Sequence, residues 1–515
     1  MTTIPHAAHV LERARWAARA YADYDAASVS AIVAAVAEAA YAESERFACE
    51  AVAETGMGVV ADKVIKNRAC SRGIVDYYRG EDFVSPRVDN TRRIVEIPRP
   101  AGVVLALTPT TNPVSTVYFK VILALMTRNA VVVAPHPRAK VCSALAARLL
   151  ADVAVNAGAP DGIVQVIDEP AIPLVEALMA DERTDVIVAT GGTGVVRAAY
   201  SSGNPALGVG PGNVPVLVDS SADIATAARR IVDSKAFDNS LLCTNESVLI
   251  AEESIAASLC SAMTRHGAHL LDADAARRLS AFMFADGHLN TDVVGRDAAW
   301  IAGQAGIRVT PKTRVLVAPF EHVIAEEMLA HEKLSPVLAM TTAADTARGI
   351  RAARGVVRIG GAGHSAAIHS ENPSVISDFA AQVPVLRVSV NVGNSTGSSG
   401  LETNLAPSMT IGTGFIGRSS IGENLQPQHL LNWARIAYNS DPAVVMPSFA
   451  GISPWQAPVA PVPEYPRASN DPMAGPAPQR STDVGQGRSS GPDVDALRAE
   501  LRALVVEELA QLIKR

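Results

Sequence analysis

The sequence predicts an α/β protein with two doubly wound blocks, a polar tether and a terminal amphipathic helix. Three observations carry this. From about residue 94, short apolar runs alternate with stretches of helical length, and a second such block runs from about 240 to 400. Strand and helix alternating at that pitch imply open, mostly parallel sheets covered on both faces. The composition then changes after Asp441.

Residues 6–80 are Ala-rich with apolar positions at helical spacing and predict a helical lead-in. Residues 94–97 and 102–107 read as strands, 116–126 as a helix, 130–134 as a buried strand and 141–157 as a helix. Residues 162–167 and 185–190 read as further strands with a helix between them. Residues 442–492 are crowded with Pro, Ala, Gly and Ser, a composition that buries too little apolar surface to order itself. They predict a disordered linker. Residues 493–515 then resume as a helix capped by Asp493 or Asp495, with Val494, Leu497, Leu501, Leu504, Val505, Leu509 and Leu512 on one stripe. A lone helix of this length is marginal in water, so its stripe calls for a partner, and the tether favours an external one.

The 515 residues suffice for two or three domains, and 48% hydrophobic against 19% charged residues predicts a compact fold for most of the chain. The net charge of -7, with no basic stripe, argues against a nucleic-acid surface. Five scattered cysteines (Cys49, Cys70, Cys142, Cys243, Cys260) form no C-x-x-C pair, which fits a reducing compartment and opposes a disulfide framework or a structural zinc. Met1-Thr-Thr-Ile-Pro-His is not a secretory leader, and no apolar run reaches membrane-spanning length. A soluble intracellular protein is expected.

Cys243 lies in a short polar segment directly before the apolar run Val248-Leu-Ile250. A thiol at the mouth of a buried strand is held rigidly yet open to substrate, and thiolates attack aldehydes and carry acyl groups as thioesters. A plain buried cysteine is the alternative. The turn Ala189-Thr-Gly-Gly-Thr-Gly194 follows a strand and opens a helix, an arrangement suited to a dinucleotide pyrophosphate although not the G-x-G-x-x-G fingerprint. Leu207-Gly-Val-Gly-Pro-Gly-Asn213 permits close backbone approach or simply a tight turn, and 186–218 contains no Asp or Glu. Asn112, before Pro113, is either a turn residue or an oxyanion donor facing Cys243.

Pro109-Thr-Thr-Asn-Pro113, Ala134-Pro-His-Pro-Arg-Ala-Lys140, Ala189-Thr-Gly-Gly192, Ala206-Leu-Gly-Val-Gly-Pro-Gly-Asn213, Asp238-Asn239 with Cys243, and His331-Glu-Lys-Leu-Ser-Pro-Val337 stand in a telling order. Together with Gly361-Ala-Gly-His-Ser365 and Leu405-Ala-Pro-Ser-Met-Thr410, they resemble the CoA-acylating aldehyde dehydrogenases, notably the aldehyde-oxidising half of aldehyde–alcohol dehydrogenases. The resemblance covers roughly residues 5–440. It implies an aldehyde dehydrogenase fold with a nicotinamide-dinucleotide-binding domain at 1–235 and a catalytic domain at 236–404. It also implies a β oligomerisation element, built from a hairpin near 91–101 and a return segment at 405–440, hence a homodimer or homotetramer. The linker is placed at 441–492 and the terminal helix at 493–515.

The resemblance further implies that Cys243 is the nucleophile, Asn112 the oxyanion donor and His364 the nearby histidine that moves a thiol proton, its alternative being a structural histidine. Thr190, Gly191, Gly192 and Gly210 are implied to face the cofactor, Glu332 to hold the nicotinamide ribose, Lys120 to approach that ribose, and His136 and Arg138 to flank the adenosine. NAD is the implied cofactor, with NADP open, and coenzyme A the co-substrate. Hydrolytic members of the wider superfamily carry a glutamate in the segment occupied here by acid-free 208–213, so acyl transfer to CoA is expected over release of acid. The tail resembles the encapsulation helices of bacterial microcompartment cargo, which implies a shell or cargo partner for 493–515 and a C2–C3 aldehyde, propanal foremost. The full arrangement resembles the actinobacterial amino-alcohol type. Competing expectations are a non-acylating enzyme, a sulfoacetaldehyde-oxidising acylating enzyme, and an inactive scaffold presenting the terminal helix.

Overall fold

The computed structural model describes residues 5–459 and 464–466. The lead-in is helical, from Pro5–Tyr21 to Arg72–Tyr77. Strands β1 (Arg87–Asp89) and β2 (Ile94–Pro100) follow. A five-stranded sheet comprises β3 (Val103–Thr108), β4 (Ala130–Pro135), β5 (Val164–Val166), β6 (Val186–Ala189) and β7 (Ala206–Gly208), in the order β5-β4-β3-β6-β7. All its pairings are parallel, and every residue of β3, β4 and β6 is buried, as strands covered on both faces must be. The chain moves from β3 to β4 on one side and returns to β6 on the other. The crevice at the carboxyl ends of β3 and β6 is therefore a topological switch point, where ligands of open α/β sheets bind.

A seven-stranded parallel sheet comprises β8 (Val214–Val218), β9 (Glu246–Glu252), β10 (Ala268–Leu270), β11 (Val315–Pro319), β12 (Val337–Ala343), β13 (Ala366–His369) and β14 (Val388–Val390). Its order is β10-β11-β12-β9-β8-β13-β14. Because β8 pairs with β9 and β13, the seven-stranded sheet takes up the chain by Val214. The change of sheet falls before the expected boundary at 235: β8 pairs into the seven-stranded sheet and helix Ile224–Ala236 packs on it, and the short Val-rich β8 was indistinguishable by pattern from a strand of the first sheet.

Strand β15 (Leu431–Ala437) pairs antiparallel with β2, and β1 flanks β2 on its other side, so 91–101 and 405–440 do converge in a separate three-stranded sheet. The linker expected from 441 begins too early. The Trp455 indole N–H donates to the Val84 carbonyl at 2.8 Å, the Arg128 guanidinium lies 4.3 Å over its ring, and Gln456 exchanges backbone hydrogen bonds with Asp23 and Asp25. One aromatic anchor outweighs the Pro-rich composition around it. The helix expected at 493–515 lies outside the described residues. Among the described residues no single helix is long and apolar enough to cross a membrane, and no cluster of three or more His, Cys, Asp or Glu could hold a metal.

Candidate active site

A cleft of about 770 Å³ opens where the switch point of the five-stranded sheet faces the loop before β9. Residues 107–112 and 190–195 line one side, and 241–244 with Glu332 and Leu334 the other. The cysteine loop is shaped by backbone strain. Asp238, Asn239 and Ser240 take consecutive left-handed conformations (φ 47°, 51° and 62°), which non-glycine residues rarely adopt. This tight turn ends helix Ile224–Ala236 and delivers Cys243, half-buried, to the cleft wall just before β9.

The His364 Nε2 lies 3.3 Å from the Cys243 Sγ. His364 Nδ1 is 3.0 Å from Ser365 Oγ, which also accepts from the Asn394 amide at 3.0 Å. Proton transfer from the thiol requires the tautomer with its hydrogen on Nδ1, donated to Ser365 Oγ, and the Nε2 lone pair toward the thiol, an arrangement this network accommodates. Arg387 holds the histidine turn by donating to the carbonyls of His364 (3.0 Å) and Gly363 (2.9 Å). Burial pushes the Cys243 thiol up to about 12, with nearby Glu332 adding and Arg387 opposing. Burial and Arg387 push His364 down to about 3. The pair therefore rests as neutral thiol and neutral imidazole, the correct starting forms for proton transfer during attack.

The glycine segment runs directly beneath the cysteine. A Cβ on Gly212 would sit 2.1 Å from the Cys243 carbonyl oxygen and 3.2 Å from Glu332 Oε1, so only glycine fits. Glu332 lines the cleft rather than the surface. Its carboxyl is pushed up to about 8 by burial, with Lys235 and Lys333 opposing. The acid-free 208–213 segment thus does not make the site acid-free. Glu332 stands near the sulfur but is mostly protonated at neutral pH.

Thr190, Gly191, Gly192 and Gly210 all line the cleft. Gly192 caps helix Thr193–Ser201 without a side-chain bond, and its Cβ position meets only open space. The unpaired N–H groups of that first turn remain available to an anion, which fits a dinucleotide pyrophosphate. His136 lines the same cleft beyond β4, but Arg138 is exposed and outside the wall. Lys120 is a correction. Its Nζ is fully buried and donates to the carbonyls of Leu107 (2.6 Å) and Val188 (2.8 Å), tying β3 to β6 below the cleft rather than entering it. A lysine on an otherwise apolar helix gave no sequence sign of which strand carbonyls it would find.

Residues 2–278 match the aldehyde dehydrogenase family model. Among curated relatives, the acetylating succinate-semialdehyde dehydrogenase of Clostridium kluyveri is 36% identical over 445 residues, covering 86% of this chain and 98% of that protein. The chain belongs to the aldehyde dehydrogenase family.

The bifunctional aldehyde-alcohol dehydrogenase of Escherichia coli (strain K12) is 38% identical over 86% of this chain but 50% of its own length, so the chain spans about half of such relatives. The acylating sulfoacetaldehyde dehydrogenase of Cupriavidus necator is 36% identical over 84% of this chain and 88% of that protein. An acetylating aldehyde dehydrogenase from Geobacillus thermoglucosidasius superposes with TM-score 0.84 at 37% identity, covering 87% of this chain and 98% of that one. A propionaldehyde dehydrogenase from the Clostridium phytofermentans fucose utilisation microcompartment does so with TM-score 0.77 at 27% identity, covering 84% and 97%.

Within this site, the roles of several residues escaped the sequence reading. Arg387, Ser365 and Asn394 orient His364, and Lys63, Lys66 and Asp238 form a buried ion cluster behind Asn112. Asn112 itself lines the cleft, with its amide nitrogen 3.1 Å from the Leu241 carbonyl and 3.2 Å from Thr111 Oγ1. One of these bonds must be exchanged before the amide serves a substrate oxyanion. Asp238 and Ser365 stood in the motifs quoted from the sequence, which marked their positions but not their partners.

Proposed function

We propose that this chain is a CoA-acylating, nicotinamide-dependent aldehyde dehydrogenase acting on a C2–C3 aldehyde, propanal foremost. The thiol–imidazole contact of 3.3 Å at the floor of the cleft carries the reading. Cys243 Sγ adds to the aldehyde carbon while His364 Nε2 takes the thiol proton, giving a thiohemiacetal. The Asn112 amide is the side-chain donor placed to hold its oxygen. Residues 190–192 and Glu332 would hold a nicotinamide dinucleotide, NAD foremost, which when bound would supply the hydride acceptor. His364 releases the first proton to solvent, then receives the CoA thiol proton as CoA takes the acyl group from the Cys243 thioester, and returns that proton to the departing Cys243 Sγ. Water competes poorly because Glu332, the acid nearest the sulfur, is mostly protonated at pH 7.

The substrate reading rests on the cleft wall. Among the described residues lining it there is no lysine or arginine to pair with a sulfonate or a distal carboxylate, and the Arg387 guanidinium that acts on the Cys243 thiol is committed to the carbonyls of His364 and Gly363. That favours an uncharged aldehyde over sulfoacetaldehyde. Steady-state NADH formation with ethanal, propanal, butanal and sulfoacetaldehyde, with and without CoA, tests both halves. CoA-dependent turnover highest on propanal supports the reading, and acid as the main product overturns it.

The sheet β1-β2-β15 supports dimer or tetramer formation, and residues 493–515 support addressing to a microcompartment shell or its cargo. Deleting 467–515 leaves the Trp455 anchor in place. Retained activity with lost co-localisation fits the addressing role, and an inactive body opposes it.

A further inference from the structure

Behind Asn112 lies a charged cluster that the reaction scheme leaves unused. Lys63 and Lys66, one turn apart on helix Val60–Ala69, both reach the fully buried Asp238, Lys63 at 3.1 Å. The remaining Asp238 oxygen accepts from the Val59 N–H at 2.7 Å, and the Asp238 N–H donates to Asp62 at 2.7 Å. Asp238 opens the left-handed turn that sets Cys243. Lys66 also donates to Asn112 Oδ1, and Lys63 lies 3.3 Å from the Thr111 carbonyl.

An asparagine amide can face either way, and only its nitrogen end stabilises an oxyanion. An ammonium group donates only, so it selects Oδ1 as its partner and turns Nδ2 the other way. The Leu241 carbonyl, an acceptor only, agrees with that orientation. We propose that Lys66 is a positioning residue for the oxyanion donor. It fixes the Asn112 amide with its nitrogen toward the cysteine loop and, through Asp238, ties that amide to the turn that places Cys243. The inference rests on the proposed role of Cys243 as nucleophile.

The test is the pre-steady-state burst of NADH with saturating propanal and NAD, measured on the full chain for Lys66→Met, Lys66→Arg, Asn112→Ala and the Lys66→Met/Asn112→Ala double variant. Lys66→Met should slow the burst ~10-fold or more, toward the loss expected for a missing oxyanion donor, with the KM for NAD changed less than about twofold. Lys66→Arg should recover part of the rate. The double variant should be no slower than Asn112→Ala alone, because both changes remove one function. A Lys66→Met burst within about twofold of the unaltered chain, or losses that multiply in the double variant, would overturn the proposal. If Lys66→Met does not fold, Lys66→Gln replaces the donor-only ammonium by an amide that donates or accepts and so no longer selects the Asn112 orientation. A slowed burst that Asn112→Ala does not slow further then supports the proposal, and an unaltered burst sinks it. A full burst from Cys243→Ala would instead defeat the reading of the site itself.

Discussion

The Cys243 thiol and the His364 imidazole are each held neutral by burial, so neither is useful without the other. Replacing His364 by Ala should lower the burst rate about 10²–10⁴-fold, the usual reach of a positioned base, while leaving dinucleotide binding near its original strength by fluorescence titration. Cys243→Ala should abolish turnover with the same binding retained. Glu332 offers a pH signature. Below its value of about 8 the carboxyl is protonated, and above it a carboxylate stands near the thioester. Free acid should therefore be a minor product at pH 7 and rise above pH 8, and Glu332→Gln should flatten that rise when products are resolved by chromatography. A Gly212→Ala change forces a methyl group against the Cys243 carbonyl. It should cost about 1–3 kcal/mol of stability, as overpacking does, and reduce activity far more than its effect on thermal melting alone explains.

At the scale of elements, periodicity located most strands and helices because burial writes directly into the side-chain pattern. β3, β4 and the centre of β9 at 248–251 are largely apolar runs with no face to spare for water. Where an element's identity depended on its partner, pattern was silent. β8 reads like any buried strand, yet its pairing with β9 and β13 assigns it to the seven-stranded sheet, so the change of sheet falls at the glycine segment. Composition misled in a different way beyond 441, because Trp455 alone supplies a hydrogen bond and a cation contact. Trp455→Ala should weaken that anchorage by about 1–2 kcal/mol. Limited proteolysis should then cut within 442–459 sooner than in the unaltered chain.

Over the whole molecule, two buried histidines govern behaviour in acid. His364 and His369 are pushed down to about 3 and about 4 by burial, from 6.5 when exposed. Between those values the unfolded chain binds more protons than the folded one, so stability falls as pH drops below 6.5, on the order of 1 kcal/mol per pH unit for each histidine. Above 6.5 both states are neutral and this contribution is flat. Denaturant midpoints measured from pH 7.5 to 4.5 should follow that slope, and the His369→Gln variant should show a shallower one. The sequence by itself determined the layered α/β fold, the cysteine, the glycine turns and their order, because periodic burial and left-handed or close-packed backbone restrict which residues can stand there. The family resemblance implied His364 near the cysteine, and the tertiary structure sets its Nε2 3.3 Å from Cys243 Sγ across 121 positions of chain. It alone buried Lys120 between two strand carbonyls, brought Glu332 to the sulfur and set Lys66 behind Asn112. Those are long-range encounters of single polar side chains, and a lone polar residue carries no period from which its partner can be read.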